Sequence, residues 1–301
     1  MSLKSFLEYL KLEKNYSNHT LVAYEGDINS FFDFAKITYE TEDPEAITYP
    51  IIRSWIVSLS EAEITHRTIN RKIASLKSFY KFLQKIGVLE VSPLARHRSM
   101  KVKQKVQVPF SEAEIENAIE QLKSASDFTG IRNHLLIELF YATGIRRSEL
   151  INVKLEDVDL YAKTLKVLGK RNKERLIPLI DPLILTIFNY LEYRRKEFPE
   201  CISPYLLLTD KGVKMYSTLV YRIINNYFSR VSLKVKTSPH VLRHTFATHL
   251  LNGGADMNSV KELMGHSSLA STQIYTHNNI AQLQKIYGKA HPRNEKEEIM
   301  E

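Results

Sequence analysis

The sequence has little of several features that define major protein classes. Among 301 residues there is one cysteine, Cys201, which excludes an internal disulfide framework and favours a reducing compartment. No apolar run approaches the roughly 18 residues that a membrane-spanning helix needs. The first residues, Met1–Glu8, are amphipathic and lack the pattern of a signal peptide. We therefore expect a cytoplasmic protein that does not enter a membrane.

Common metal and nucleotide motifs are also missing. His240 and His244 are four residues apart, but Val241 stands where a zincin has glutamate. The pair Gly169-Lys170 lacks the upstream glycine and the following Ser or Thr of a P-loop. A two-metal phosphoryl-transfer site needs several converging carboxylates, and the sequence contains no convincing set. The sequence thus predicts neither a metal centre nor a cofactor.

Positive charge is concentrated in one part of the chain. The formal net charge is +8, with 42 Lys and Arg against 34 Asp and Glu. Residues 1–64 carry a net −6 and residues 109–301 a net +4, whereas residues 65–108 carry +10. Such a stripe is typical of a surface that follows nucleic-acid phosphates. A solvated basic helix with a charged linker is the simpler alternative.

Helical periodicity and its interruptions divide the chain into four parts. Apolar spacing predicts four helices within residues 1–88, the fourth beginning near Thr65. Periodicity is lost in residues 89–108, where cations recur between prolines, so this stretch is predicted to be a basic linker. Residues 109–293 predict a second, mostly helical domain, with a strand pair at 164–168 and 175–179 and helices that include 239–252 and 270–286. Residues 294–301 predict a charged tail. The expected fold class is mainly α.

Four segments of the second domain combine cations and imidazoles. Taken singly, each has a plain structural interpretation as a helix start, a hairpin tip or a packing residue. Together they suit a metal-free site for a phosphodiester, because two arginines can hold a phosphate through forked hydrogen bonds. A helix that starts at Ser238-Pro239 would also bring His240 and Arg243 close to a terminus that favours anions. The segments are 142–150, 169–175, 238–249 and 263–277.

These ordered motifs resemble those of the tyrosine recombinase, or phage integrase, family in its Xer branch. The resemblance covers nearly the whole chain, and the family pattern Arg, Lys, His-x-x-Arg, His, Tyr falls on six residues. These are Arg146, Lys170, His240, Arg243, His266 and Tyr275. One departure is Arg171, which stands where the hairpin tip usually has a glycine. If that position needs a positive φ, arginine there has a steric cost.

The resemblance implies a SAM-like helical bundle at the N-terminus and an α-rich catalytic domain with a small antiparallel sheet. It implies that Tyr275 attacks a DNA phosphate and forms a 3′-phosphotyrosyl bond without metal, ATP or another cofactor. Arg146 and Arg243 would hold the non-bridging phosphate oxygens. Lys170 would protonate the leaving 5′-oxygen.

The histidines and the basic stripe have further implied roles. His240 would accept the tyrosine proton or bond the phosphate, and His266 would bond the phosphate and help to place the nucleophile. The N-terminal helices and the linker would bind the duplex through phosphate contacts, which position a protein without reading sequence. The predicted DNA contacts are Arg67, Arg71, Lys72, Lys101 and Lys103.

The resemblance also implies partners. Family members act as tetramers on two DNA sites, so we expect double-stranded DNA with a dif-like site and a tetramer formed alone or with a paralogous recombinase. Chromosome-dimer resolution and a septal DNA translocase follow as the expected process and further partner. Residues 280–293 would pack either on a neighbouring subunit or within the chain.

Three other functions share part of the pattern. An integrase of a mobile element would use the same chemistry, although the compact length and the lack of an arm-binding domain favour the Xer interpretation. A catalytically silent DNA-binding regulator would keep the fold alone, and the complete set of six residues argues against it. A nicking-closing topoisomerase would use similar chemistry as a monomer.

Overall fold

The computed structural model describes residues 3–102, 107–169, 173–232, 237–265 and 277–294, with the backbone alone for residues 277–282. The chain divides into two compact units, Met1–Lys105 and Val106–Glu301. Helices make up most of the described part of both units, which confirms the mainly α expectation. Among the described residues, none of the helices has the length and apolar character that crossing a membrane requires.

The N-terminal unit contains helices around a core rich in aromatic rings. In chain order these are α1 (Leu3–Leu12), α2 (Asn18–Tyr39), α3 (Tyr49–Glu61) and α4 (His66–Lys85). Phe6 meets the edge of Phe79 at a ring-centroid distance of 5.4 Å, and Phe31 meets Trp55 at 5.1 Å. All four rings are buried, and edge-to-face pairs add to the stability that burial supplies.

The start of α4, the helix with the basic face, agrees with the sequence prediction. Thr65 is its N-cap, and the Thr65 hydroxyl accepts a hydrogen bond from the backbone N–H of Thr68 at 3.4 Å. Ile69, Ile73 and Leu76 recur on the buried face. Because these apolar residues occupy one side, most of the cations of α4 lie on the solvent side.

Part of the predicted linker is attached to the N-terminal unit. The side chain of Asn70 pairs with the backbone of Met100, accepting from its N–H at 3.0 Å and donating to its carbonyl at 2.8 Å. Leu94 is fully buried in the core of this unit. The carbonyl of Lys101 also lies 3.2 Å from Nδ1 of His66. Three residues of the predicted linker, Leu94, Met100 and Lys101, therefore contact the N-terminal unit.

The C-terminal unit surrounds one central helix. Its helices are α5 (Glu112–Lys123), α6 (Phe128–Thr143), α7 (Arg147–Leu150), α8 (Asp181–Glu197), α9 (Ser217–Val231), α10 (Pro239–Asn252), α11 (Met257–Met264) and α12 (His277–Ala290). Nearly all residues of α6 are buried, on every side of the helix, as expected of a helix at the centre of a domain. Helices α5, α8, α9 and α10 pack around it.

A small antiparallel sheet lies beside these helices. Its strands, in spatial order, are β1 (Val158–Asp159), β2 (Thr164–Leu168) and β3 (Glu174–Pro178). Val167 of β2 is opposite Arg175 of β3. Because successive side chains of a strand alternate between faces, Arg175 shares the buried face of β3 with Ile177. The strand alternation thus directs a charged side chain into the domain.

Helix α12 packs against its own domain. Leu283, Tyr287 and Ala290 are buried, and the hydroxyl of Tyr287 donates to the carbonyl of Ala142. Of the two arrangements expected for residues 280–293, the structure has the one within the chain. Residues 295–301 of the predicted tail lie outside the described residues.

Candidate active site

A glycine at the end of α6 fixes the position of the first candidate arginine. Gly144 has the left-handed conformation, with φ of 56°, and its N–H donates to the carbonyl of Phe140 at 3.0 Å. A Cβ at this position would lie 2.7 Å from Cε1 of Phe246, which is fully buried. Glycine therefore satisfies both the conformation and the space of this turn, which places Arg146 just before α7.

A buried carboxylate, Glu149, holds Arg146 in place. The backbone N–H of Arg146 donates to Oε2 of Glu149 at 3.0 Å, and Nη1 of Arg146 donates to Oε1 at 2.7 Å. The Glu149 side chain is almost completely buried, whereas that of Arg146 keeps 34% exposure. One edge of the Arg146 guanidinium is thus fixed inside the protein while the side chain remains accessible to a ligand.

A second arginine completes the coordination of Glu149. Arg175 donates from Nη1 to Oε1 at 3.0 Å and from Nη2 to Oε2 at 2.8 Å, and both side chains are buried. Forked pairs of this kind are the strongest hydrogen-bonded ion pairs in proteins. Burial alone would raise the pKa of Glu149, but Arg175 together with Arg146 holds it below its ordinary value. The carboxylate is therefore ionised at neutral pH.

The third arginine comes from α10. Arg243 donates from Nη1 to the carbonyl of Gly144 and from Nη2 to the carbonyl of Met264. Its side chain is buried, whereas His240, one turn earlier on the same helix, is exposed. Burial, and then the charges of the two other arginines, lower the pKa of Arg243 to about 10. Arg243 therefore remains protonated at neutral pH.

The three arginines meet at the end of α11. The carbonyls of residues 263, 264 and 265 accept hydrogen bonds in turn from Arg175, Arg243 and Arg146. The first and third of these bonds measure 3.0 and 2.9 Å. A helix C-terminus carries a partial negative charge and unpaired carbonyls, so it attracts cations. The last turn of α11 is thus tied to β3, α10 and the start of α7.

This arginine cluster, which comprises Arg146, Arg175, Arg243 and Glu149, has an excess of positive charge. Three guanidinium groups accompany one carboxylate. Unbalanced charge away from water is unfavourable, so the cluster favours binding of an anion. A phosphodiester is such an anion, and its negative charge increases as a fifth oxygen approaches phosphorus. The cluster can therefore bind a phosphate and stabilise its substitution.

The three remaining candidates, Lys170, His266 and Tyr275, lie outside the described residues, as does Arg171. Their flanking residues are described. Gly169 closes the hairpin with an N–H that donates to the carbonyl of Lys173 at 2.7 Å. A Cβ on Gly169 would lie 3.6 Å from Nη1 of Arg175 and equally far from Oε1 of Glu149. The chain thus enters the hairpin tip beside the arginine cluster.

The residue before His266 also belongs to the cluster. Gly265, which accepts from Arg146 through its carbonyl, is left-handed with φ of 61° and ends α11. Helix α12 resumes at His277, two residues after Tyr275. The structure therefore places Arg146 and Arg243 in one cluster. Gly169 and Gly265, which directly precede Lys170 and His266, border the same cluster.

Sequence reasoning did not assign roles to Glu149 and Arg175. Both lie within the four segments that combine cations and imidazoles, but no clustered carboxylates were expected there. The available signal was local, since Arg146 and Glu149 have the spacing of a capping box around α7. Arg175 carried a weaker signal, because a charged residue in a short strand can lie on either face of the sheet.

Two predicted DNA contacts on α4 are already paired inside the N-terminal unit. Asp27 of α2 is buried and accepts from Arg71 and, at 2.8 Å, from the hydroxyl of Ser75. Lys72 lies 3.5 Å from the same carboxylate, with 16% of its side chain exposed. Arg71 and Lys72 therefore offset the charge of Asp27, and about half of the Arg71 side chain is exposed whereas Lys72 is mostly covered. Arg67 is exposed.

Two further predicted contacts lie beyond α4. Lys101 is exposed, and Lys103 lies outside the described residues.

Two histidines of the C-terminal unit have structural roles. His249 accepts from the hydroxyl of Tyr141 through Nδ1 and donates through Nε2 to the carbonyl of Phe110, both at 2.9 Å. His291 accepts from the N–H of Arg293 and lies 3.5 Å from the carbonyl of Tyr141. Each ring is thus paired as a neutral imidazole. Over the described ranges, no three His, Cys, Asp or Glu side chains are grouped to hold a metal ion.

Comparison with known families matches both units. The model of the phage integrase family matches residues 109–282, and that of the phage integrase N-terminal SAM-like domain matches residues 3–87. These matches confirm the SAM-like bundle expected at the N-terminus and the family expected from the motifs.

Individual proteins give the same result. The chain is 37% identical over 315 residues to tyrosine recombinase XerC of Chlorobaculum parvum, covering 96% of this chain and 94% of that protein. It is 38% identical over 297 residues to tyrosine recombinase XerC of Oceanobacillus iheyensis, covering 97% and 96%. The solved structure of XerH recombinase bound to a palindromic difH substrate after cleavage shares the fold, with a TM-score of 0.70. Its sequence identity is 22%, and the match covers 94% of this chain and 83% of that one.

Proposed function

The chain belongs to the phage integrase family and is a site-specific DNA recombinase, and on that premise we propose that Tyr275 is its nucleophile. The observation that carries the proposal is the arginine cluster, with its excess positive charge and an accessible side chain in Arg146. Residues that directly precede Lys170 and His266 border this cluster. We therefore assign the six motif residues to one phosphate site.

Cleavage proceeds by substitution at phosphorus. The Tyr275 oxygen forms a bond to phosphorus as the bond to the 5′-oxygen of the next nucleotide breaks. The product is a 3′-phosphotyrosyl ester and a free 5′-hydroxyl. A 5′-hydroxyl from another strand reverses the reaction, so the energy of the phosphodiester is retained and no nucleotide cofactor is consumed.

Protons and charge are handled by the other motif residues. His240 accepts the tyrosine proton or bonds the phosphate, and Lys170 gives a proton to the leaving 5′-oxygen. Arg146 and Arg243 stabilise the non-bridging oxygens. Each guanidinium has five N–H groups and uses two of them in bonds to described residues, so that other donors are available for the phosphate. His266 bonds the phosphate and helps to position Tyr275. Each well-aimed donor of this kind is worth about 3–4 kcal/mol in the transition state.

The N-terminal unit supplies phosphate contacts away from the reacting bond. Exposed cations of α4 and of the segment that follows it form a basic surface, and phosphate neutralisation gives affinity without sequence information. Within this surface, Arg71 pairs with the buried carboxylate of Asp27, and Lys72, with 16% of its side chain exposed, lies 3.5 Å from it. The proposed contacts are Arg67, Arg71, Lys72, Lys101 and Lys103.

The biological role that we propose is the resolution of chromosome dimers in the cytoplasm at a dif-like DNA site. Support comes from full-length relatives named XerC and from a structural neighbour, XerH, that holds a difH substrate. The active assembly is a tetramer, formed alone or with a paralogous recombinase and served by a septal DNA translocase. A mobile-element integrase is the second candidate, because the family model is that of the phage integrases.

A nicked suicide substrate tests the chemistry. The unaltered protein should become covalently attached to the DNA, and mass analysis of the linked peptide should identify Tyr275. Tyr275→Phe should retain DNA affinity and form no adduct, because the ring lacks the attacking oxygen. An adduct that persists in the Phe variant would contradict the assignment. The two biological roles differ in their target, so activity on the host's own dif-like DNA separates them.

A further inference from the structure

We propose that Arg175 is a positioning residue for DNA cleavage, which holds the end of α11 and the carboxylate of Glu149 in one arrangement beside Gly169. The inference rests on the proposed function, because Lys170 and His266 are functional residues only if the chain cleaves DNA as described. Arg175 would not touch the substrate itself.

Arg175 joins several elements of the C-terminal unit. Its side chain leaves β3 on the buried face, and all three nitrogens of its guanidinium donate hydrogen bonds to residues of other elements. Two of these bonds reach Glu149, and Nε reaches the carbonyl of Leu263 at 3.0 Å. A side chain whose only task was packing would not need to satisfy a fixed fork of donors on two separate elements.

A glycine lies on either side of the Arg175 side chain. A Cβ on Gly169 would be 3.6 Å from Nη1, and a Cβ on Gly265 would be 3.2 Å from Cδ, Nε and Nη1. The side chain is therefore enclosed between the residues that directly precede Lys170 and His266. Movement of Arg175 would displace Gly169 and Gly265, which directly precede Lys170 and His266 in the sequence.

Arg175 also determines how much of the Glu149 charge acts on Arg146. The guanidinium of Arg146 reaches only Oε1 of Glu149 and shares that oxygen with Nη1 of Arg175, while Nη2 of Arg175 donates to Oε2. Without Arg175, both carboxylate oxygens would be available to Arg146, which would then form the forked pair itself. A guanidinium drawn onto Glu149 in this way would compete with the phosphate for its own donors. Arg175 thus neutralises Glu149 and leaves the charge of Arg146 for the DNA.

The variant Arg175→Lys keeps the charge and removes the planar fork. Its matched control is Arg132→Lys in α6, since Arg132 is equally buried and bonds to Asp210, Asn133 and the carbonyl of Leu208, outside the cluster. Thermal unfolding, DNA affinity and the single-turnover rate on the nicked substrate are measured for both. We expect both to lose thermal stability, both to keep DNA affinity, and Arg175→Lys alone to cleave more slowly, by roughly 10- to 100-fold.

A double-variant cycle separates positioning from general loosening. Arg175→Lys and Arg146→Lys should be strongly non-additive in the cleavage rate, because Arg175 acts through the geometry of Arg146. Arg132→Lys and Arg146→Lys should be additive. Additive effects in the first pair, or a cleavage rate of Arg175→Lys equal to that of Arg132→Lys, would overturn the inference.

A second substitution covers the case in which Arg175→Lys does not fold. Glu149→Gln with Arg175→Gln removes both charges of the buried pair and leaves amides that can bond to each other, an exchange that proteins often tolerate. This double variant should fold, bind DNA and cleave slowly, and native cleavage by it would overturn the inference. Absence of an adduct with the unaltered protein would instead overturn the proposed function, and with it this inference.

Discussion

Replacement of Gly144 by alanine tests whether the turn after α6 determines the geometry of the site. The added Cβ meets two obstacles, the left-handed φ of 56° and the ring of Phe246. The conformation costs about 1–2 kcal/mol for an L-residue, and insertion of a methyl group into a packed core costs about 1–3 kcal/mol. The free energy of unfolding should therefore fall by about 2–5 kcal/mol.

Thermal unfolding measures this loss directly. For a unit of this size, the expected decrease in Tm is roughly 5–15 °C. Because Gly144 also accepts from Arg243 and precedes Arg146, the folded fraction should cleave the nicked substrate more slowly. Gly26→Ala in α2 is the control, since its Cβ would meet nothing within 4 Å and should stabilise by about 0.5–1 kcal/mol. A Gly144→Ala protein with unchanged Tm and cleavage would refute the reasoning.

Two further predictions concern a buried titratable side chain in each unit, His291 and Asp27. Burial lowers the pKa of His291 from 6.5 to about 4, so its contribution to stability is complete above pH 6.5 and is lost as the pH falls toward 4. Tm should fall over this range, and less so in His291→Gln; equal slopes would remove His291 as the cause. Asp27→Asn should destabilise the N-terminal unit by about 2 kcal/mol, because Lys72 loses its partner, while DNA affinity stays level or rises. Denaturant titration and DNA binding check both parts, and a marked loss of affinity would show that Asp27 is needed to orient the cations.

Local patterns in the sequence predicted the elements well. The start of α4 near Thr65 was expected from the apolar repeat that follows it, and α10 covers residues 239–252, as its pattern predicted. The strand pair was correct to within one residue. These features depend on neighbours in sequence, such as helix caps and alternation, and so they can be read from it.

Contacts between distant residues could not be predicted in this way. The pairing of Asn70 with Met100 joins the end of the expected linker to α4, and no local pattern marks a side-chain amide as the partner of a backbone 30 residues away. Helix α12 continues to Ala290, beyond the predicted end at residue 286, because Tyr287 and Ala290 are buried against the domain. Tertiary packing extended this helix past the weak local signal of Gly288.

The roles of Glu149 and Arg175 depend on tertiary structure for the same reason. A carboxylate near an arginine in sequence most often lies at the surface. Here Glu149 is buried because β3 supplies a second arginine from 26 residues away. The candidate nucleophile was predicted from a resemblance, whereas the pairing of Glu149 with Arg175 was found only in the structure.

The carbonyls at the end of α11 have a consequence for the rate of the reaction. A free arginine side chain samples many rotamers, and fixing one costs up to about 2 kcal/mol of entropy. Because the chain's own oxygens hold three guanidiniums before any DNA arrives, this ordering occurs during folding. In the reaction proposed above, these guanidiniums therefore need little rearrangement when the phosphate binds.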